Sequence, residues 1–395
     1  MYKIQTLNKI SNTGLDLFFH ADYEIASEFQ NPDGIILRSY NMHDMTLPSN
    51  LKAVARAGAG VNNIPVDACT EKGIVVFNTP GANANSVKEL VLTAMLLASR
   101  NIPSALDWTK TLHDKGDEVP RLVEKGKSQF TGNEISGKKL GIVGLGAIGV
   151  MVANAAHALG MTVMGFDPFI TVDKAWELHY NISKSRSIDE LISECDYIAV
   201  HVPLSDTTRG MFNRERFQLM KGNVVLLNFA RGGLVNNADL REAFEQDRIC
   251  AYVTDFPDEE LLSTNGVICL PHLGASTVEA EENCAVMAAS QLKEYLECGN
   301  ITNSVNFPDC ELPLSTDYRI TIADKNIPNM VGQISHIIAE AGINIQDMVN
   351  KHRDNLAYNI INIGSPLSDA DIDRLRKIDG VLNVRMFTQK SEKCI

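Results

Sequence analysis

Residues 139–149 read KLGIVGLGAIG, and the helical run VMVANAAHALG follows at once. Leu140, Ile142 and Val143 make a short β-rich apolar run that feeds Gly144, Gly146 and Gly149, which stand in the GxGxxG spacing. Glycines there permit a tight turn and a close approach by a pyrophosphate, whose charge is met by amides at the helix N-terminus. A ligand-free turn in a parallel sheet could share the spacing, but here the context is complete: strand before, helix after, and an acid at the end of the next apolar run. That acid is Asp167, closing MTVMGFD 18 residues past Gly149. A carboxylate in that place accepts the ribose hydroxyls of an adenosine and repels a 2′-phosphate, so the cofactor expected is NAD rather than NADP.

The same alternation extends in both directions. Apolar runs at 34–38, 51–58, 73–79, 196–202, 223–229, 249–255 and 266–271 are separated by stretches with helical periodicity, such as 82–100 and 277–297. Strands alternating with helices predict an α/β fold around parallel sheets. Two stretches break the pattern. Residues 101–137 are polar and irregular, and ITNSVNFPDCELPL (301–314), with two prolines, reads as a linker. Beyond it, residues 317–395 give the order βαββαβ, a small ferredoxin-like unit with a modest core of its own.

Composition narrows the functional classes. The 395 residues carry 36 basic and 49 acidic side chains, a net charge of −13, which argues against nonspecific binding to nucleic acid or to an anionic membrane. Eight scattered cysteines form no CxxC and no Cys/His cluster at zinc spacing, so no metal site is expected and a reduced compartment fits best. The start, MYKIQTLNKISNTGLDLFF, lacks the apolar run of a secretory signal, and nowhere do about 18 apolar residues follow one another. The expectation is a cytoplasmic, soluble protein.

Four segments, FTGNEISGKKLGIVGLGAIG (130–149), HVPLSDTTRGMF (201–212), LLNFARGGLV (226–235) and LPHLGAST (270–277), together resemble the D-isomer-specific 2-hydroxyacid dehydrogenases. The resemblance reaches from the start to about residue 305. It implies a Rossmann-type NAD-binding domain (101–276) inserted into a flavodoxin-like substrate domain made of residues 1–100 and 277–305. Within the family it points to the members that oxidise 3-phospho-D-glycerate to 3-phosphooxypyruvate, the first step of L-serine biosynthesis. Glyoxylate, hydroxypyruvate or other D-2-hydroxyacid reductases are the enzymatic alternative, and an NAD(H)-sensing corepressor-like protein a remote one.

Oxidising a 2-hydroxy acid needs a base, a hydride acceptor and a cation for the carboxylate. Arg231 has the planar fork that binds an α-hydroxy carboxylate through two parallel hydrogen bonds; outside this motif a surface ion pair would explain it equally well. The resemblance makes His272, in PHLGAST, the acid/base, and imidazole titrates in the right range. It makes Glu260 the partner that orients His272. The usual DVFxxEP stands here as DFPDEEL, with Pro257 at the Phe position, Leu261 replacing the final Pro, and Glu259 as an adjacent competitor.

By motif position the cofactor contacts are Gly144, Gly146, Ala147, Ile148, Gly149, Asp167, Val202, Pro203, Thr208, Ala230 and Asp255, with Asn78 in FNTPGAN fixing the loop beside the nicotinamide. On the substrate side, Ala59, Gly60 and Val61 in AGAGVNNI match a loop whose amides meet the carboxylate. Arg38, in ILRS, matches the arginine directed at a substrate phosphate, with a plain salt bridge as the alternative. The substrate implied is therefore a phosphorylated 2-hydroxy acid.

The C-terminal unit resembles an ACT domain, an amino-acid-sensing module. That resemblance implies an L-serine effector held at a subunit interface of a homo-oligomer, with Asn326 and Asn344 as its contacts. Asp324 stands where serine-sensing members often have His, and Asn329 replaces a customary glycine, so a module that serves only oligomerisation stays open.

Overall fold

The computed structural model describes residues 1–388; Cys394 and the last residues of the expected C-terminal unit lie outside that range. By the density of their internal contacts, residues 1–82 with the chain from Glu281 onward form one unit, and residues 83–280 another.

The second unit is built on the strands that follow the irregular stretch: β6 (Lys139–Val143), β7 (Thr162–Phe166), β8 (Ser183–Lys184), β9 (Tyr197–Val200), β10 (Val224–Asn228), β11 (Ile249–Thr254) and β12 (Val267–Cys269). They pair in parallel in the order β12-β11-β10-β9-β6-β7-β8. The order reverses beside β6, the switch point at which such sheets receive dinucleotides. β9 and β10 are buried along their whole length because helices cover both faces of the sheet, which is why they read as continuous apolar runs. Where the periodicity suggests a boundary near residue 100, the units divide before the helix Ala84–Ser99, whose Val87, Val91, Ala94 and Met95 join the core of this sheet. The polar stretch 101–137 contains the helices Ile102–Lys110 and Val119–Gly126, neither with a buried residue. At nine and eight residues, both are shorter than the stretch of about 11–18 residues over which helical periodicity is read.

The first unit opens on five parallel strands, β1 (Tyr2–Thr6), β2 (Tyr23–Ala26), β3 (Gly34–Leu37), β4 (Ala53–Arg56) and β5 (Val75–Phe77), in the flavodoxin-like order β2-β1-β3-β4-β5. The long helix Val278–Cys298 packs Cys284, Ala285, Ala288, Ala289 and Leu292 into this sheet's core. The segment expected to be a linker is embedded instead: Ile301, Phe307 and Cys310 are buried, and Asn306 hydrogen-bonds Val76 N, Ile74 O and Thr70 Oγ1 at 2.9 Å each.

The C-terminal strands β13 (Tyr318–Lys325), β14 (Ile345–Arg353), β15 (Leu356–Ile363) and β16 (Val381–Thr388) form an antiparallel sheet in the order β14-β15-β13-β16. Ile320, Ile322, Ile361 and Ile363 face the helices Met330–Glu340 and Asp369–Arg376, while Ala323, Tyr358 and Ile360 on the other face join the core of residues 1–82. A module of this size thus completes its burial on a neighbour within its own unit. Among the described residues no helix is long and apolar enough to cross a membrane.

Asp324 is fully buried in this sheet. One carboxyl oxygen accepts from Asn359 Nδ2 at 2.5 Å, and the other has no partner. Burial raises its carboxyl from 3.8 to about 7. The folded chain therefore keeps a proton that the unfolded chain releases at ordinary carboxyl pH, and stability falls as pH rises from about 4 to about 7, by up to about 1.4 kcal/mol per pH unit. Asp324→Asn is expected to flatten that slope in urea titrations at pH 5, 6 and 7; an unchanged slope would show that another group sets it.

Candidate active site

Gly144 has a positive φ of 95°, and a side chain there would run into the carbonyl of His201. Gly149 lets the helix Ala147–Ala158 lie against the loop, since a Cβ would strike the Gly144 carbonyl. Gly146 is different: a Cβ there meets nothing within 4 Å, and no side chain caps the helix it precedes. Open space above uncapped amides suits a pyrophosphate. Asp167 accepts from Leu145 N and Phe169 N, at 2.8 Å each, so it also holds the register of the glycine loop while each oxygen keeps a lone pair for a ribose hydroxyl. The donor set fits a dinucleotide. Thr208 spends its hydroxyl on the loop itself, donating to Pro203 O at 2.6 Å and accepting from Ser205 N at 2.8 Å.

Arg231 follows β10 at its carboxyl end. Asn228, fully buried as the strand's last residue, donates to Arg231 O at 2.9 Å and accepts from Ala230 N at 3.2 Å, stapling the turn, and Gly233, at φ 77°, lets the chain leave. The backbone of Arg231 is thereby fixed and its side chain is exposed, with Nη1 donating to Ala230 O at 2.6 Å. His272 lies beyond β12, its ring 4.7 Å from the Phe256 ring at 59°. Its loop is anchored by Ser86 Oγ, which donates to Gly274 O at 2.6 Å.

The carboxylate that shares this corner is Asp255. It is buried, and neither oxygen finds a hydrogen-bond partner of good geometry. Burial raises its pKa, against the opposing pull of His272, the Gly274 amide and Arg231. Glu260 stands otherwise than the motif implies: it lies in the first turn of the short helix Glu259–Leu262, and its carboxylate pairs with Arg241. It lines a cavity of about 350 Å³ with Gly232, Gly233 and Phe256, but the structure records no bond from it to His272. With DFPDEEL in place of DVFxxEP and only 12 residues from Glu260 to His272, the short helix capped by Asp258 turns Glu260 toward the helix Asn237–Glu245, where Arg241 meets it.

In the first unit, Asn8 Oδ1 accepts from the amides of Arg38, Ser39 and Tyr40 at 3.1, 3.0 and 2.8 Å, setting the turn after β3. The Arg38 guanidinium pairs with Glu281. Arg56, at the end of β4, donates from Nε to Arg38 O at 3.0 Å, and its guanidinium lies where a side chain on Gly58 would fall. Asn78 Nδ2 donates to Ala59 O at 2.6 Å, and Val61 O accepts from Ile64 N, so the loop bearing Ala59, Gly60 and Val61 is pinned at both ends.

Residues 92–274 match the family described as D-isomer specific 2-hydroxyacid dehydrogenase, NAD binding domain. The chain is 35% identical to a D-3-phosphoglycerate dehydrogenase of Methanocaldococcus jannaschii over 82% of its own length and 61% of that protein's. It is 32% identical to one of Haemophilus influenzae, over 83% of this chain and 79% of that one. The chain belongs to the D-isomer specific 2-hydroxyacid dehydrogenases. It spans about three fifths of the length of the first curated relatives it matches. Among solved structures, the NAD⁺-bound 3-phosphoglycerate dehydrogenase of Entamoeba histolytica superposes with a TM-score of 0.62 at 25% identity, over 77% of this chain and 98% of that one.

For a member of this family, the structure adds residues that motif reading passes over: Asn228, Asn8, Ser86 and Arg56. The first three staple turns, and their signal in the sequence is slight, a lone polar residue beside an apolar run. Arg56 was visible in AVARAGAG, one residue before the loop already singled out. In the C-terminal module, Asn326 follows β13 and donates from Nδ2 to Asp354 O at 3.4 Å, whereas Asn344 precedes β14. Both strands run antiparallel to β15, so the two asparagines sit at opposite ends of one sheet and do not meet within a chain.

Proposed function

We propose that this chain oxidises 3-phospho-D-glycerate to 3-phosphooxypyruvate with NAD, the first step of L-serine biosynthesis. The observation that carries the choice of substrate is the arginine pair Arg38 and Arg56, linked through the Arg38 carbonyl beside the pinned loop of residues 57–64. The Arg38 guanidinium is paired with Glu281; a phosphate dianion brought to this loop could be met by it and by Arg56, whereas a short unphosphorylated acid would need no second cation there.

In this reading Arg231 holds the substrate carboxylate through its fork, His272 accepts the hydroxyl proton as the C–H bond breaks, and buried Asp255 favours the protonated imidazole that results. Bound NAD supplies the hydride acceptor. Residues 83–280 bind the cofactor, residues 1–82 with the long helix from Glu281 bind the substrate, and the module from residue 317 is regulatory. Location in the cytoplasm is part of the same reading; six of the seven described cysteines are free thiols, while Cys298 is disulfide-bonded, against the expectation of a fully reduced chain. The edge strand β14, mostly exposed over nine residues, supports a homo-oligomer, and an L-serine effector reading both Asn326 and Asn344 requires one.

Initial rates with NAD decide the matter. Phosphoglycerate is expected to be turned over far better than D-glycerate or D-lactate. Arg56→Met should raise KM for phosphoglycerate about ten- to a hundredfold, the loss of one charge-assisted contact worth about 1.5–3 kcal/mol, with little effect on D-glycerate. Equal use of phosphorylated and unphosphorylated acids, or faster reduction of glyoxylate by NADH, would overturn the assignment.

A further inference from the structure

A cavity of about 440 Å³ lies where the helix Val66–Glu71 meets the C-terminal module, within the unit that residues 1–82 form with the chain from Glu281 onward. That size falls in the range in which proteins hold small ligands. Its walls are fixed against each other. Arg353, closing β14, donates from Nη1 to Ser304 O at 2.6 Å, and Asn383 of β16 donates from Nδ2 to Gly73 O at 3.4 Å. The tip of the hairpin between β14 and β15 is held in turn, since Asn355 O accepts from Asn326 N at 2.8 Å.

The polar atoms of the cavity floor are already spent. The Asn306 side chain bonds Val76 N, Ile74 O, Thr70 Oγ1 and Ser304 Oγ, and Thr70 donates its hydroxyl to Val66 O at 2.8 Å. Val66, Val305, Leu356 and Leu382 make the rest apolar. Recognition of a polar ligand therefore falls to the rim.

There the charges stand on two walls. Asp67 and Glu71 are four residues apart, so both carboxylates lie on one face of the helix, about 6 Å apart along its axis. Lys325, the last residue of β13, and Asn355 line the same cavity from the module. Among the described residues no ion pair joins Asp67, Glu71 or Lys325 to a neighbour, and Lys72, next in the chain, does not line the cavity. Local rules disfavour the acids as placed: like charges at this spacing repel, and a carboxylate in the last turn opposes the helix dipole. A ligand that brings a cation to each removes the conflict.

We propose that this cavity binds a basic α-amino acid, with its carboxylate on Lys325 Nζ and Asn355 Nδ2, its two cationic groups on Asp67 and Glu71, and its methylenes on the apolar floor. Two carboxylates and one ammonium leave the rim one negative charge in excess, which a ligand of both signs and net positive charge neutralises. The spacing of the acids along the helix suits the separation of the two amines of a diamino acid. The site is complete in one chain and uses neither Asn344 nor any residue assigned to catalysis, so it stands whether or not the chain oxidises phosphoglycerate.

Saturation-transfer NMR on the full chain with L-lysine is expected to show saturable binding with a Kd on the order of 1 mM, the contacts being few and at the rim. Glu71→Gln and Lys325→Met should each weaken it about fivefold, the scale of an exposed charge contact. Both positions are exposed, so the fold should persist. Cadaverine, which lacks the carboxylate, should bind more weakly and be indifferent to Lys325→Met. Asn344→Ala should leave lysine binding unchanged. L-Serine binding as tightly as lysine, with the same dependence on Glu71, would refute a basic ligand. Absence of saturable lysine binding in the millimolar range, or binding indifferent to both charge variants, overturns the site itself.

Discussion

Arg231→Ala is expected to lower kcat/KM by about three orders of magnitude, with NADH binding within about twofold of the parent. The fork of Arg231 is the cation that the second unit offers at the carboxyl end of β10, and the strand, Asn228 and Gly233 fix only its backbone. Truncation therefore leaves the turn intact and, in the proposed reading, removes two parallel charge-assisted bonds that would hold the carboxylate and strengthen as the carbonyl oxygen develops. Losing one such donor costs about 2.7–4 kcal/mol of transition-state stabilisation, a factor of about 10²–10³, and losing the orientation adds to it. Arg231→Lys should recover only a little, because an ammonium cannot reproduce the fork. The nucleotide meets the glycine loop and Asp167, so fluorescence titration with NADH should hardly change. A parallel loss of NADH affinity would mean that the turn had collapsed, and a near-normal kcat/KM would remove Arg231 from the chemistry.

His272→Ala is expected to reduce kcat by about 10²–10⁴, the usual worth of a positioned general base. The side chain contributes little to the fold: it is exposed, touching the Phe256 ring, while its loop is anchored by Ser86 and Gly274. KM should move less than kcat, since the carboxylate and phosphate contacts proposed for Arg231, Arg38 and Arg56 would remain. Residual activity should rise with pH, as hydroxide takes over the proton, and lose the break that the imidazole imposes in the parent. Retention of the parent pH profile in His272→Ala would exclude the acid/base role. Buried Asp255 makes the same corner sensitive in a second way, because a carboxyl raised by desolvation and lowered by His272 and Arg231 answers to the charge of both.

The nucleotide-binding architecture was readable from residues 139–167 because each requirement there is local: glycine where a Cβ has no room, a helix start, an acid at a strand end. The βαββαβ order of the C-terminus was equally plain, since its strands alternate strongly. The opening strands were not, because YKIQT and YEIA carry polar residues on a short parallel pair at the sheet's edge. The helices within 101–137 are hard to read because each is short and they pack chiefly on one another, Trp108 against Gly126 and Phe130. Misreading 301–314 as a tether had another cause: its prolines suppress periodicity, yet Phe307 and Asn306 plug a core contributed by distant strands, a long-range fact with no local signature. The same holds for Glu260, whose identity fits the motif while its partner, Arg241, depends on how a shortened loop folds.

The placement of Asn326 and Asn344 at opposite ends of one sheet gives any effector that needs both a genetic character. In a twofold pair each pocket takes one asparagine from each chain, so a subunit damaged only at Asn326 and another damaged only at Asn344 complement one another. Their mixed pair holds one doubly damaged pocket and one that is whole, and responsiveness to the effector becomes a trait inherited by the pair.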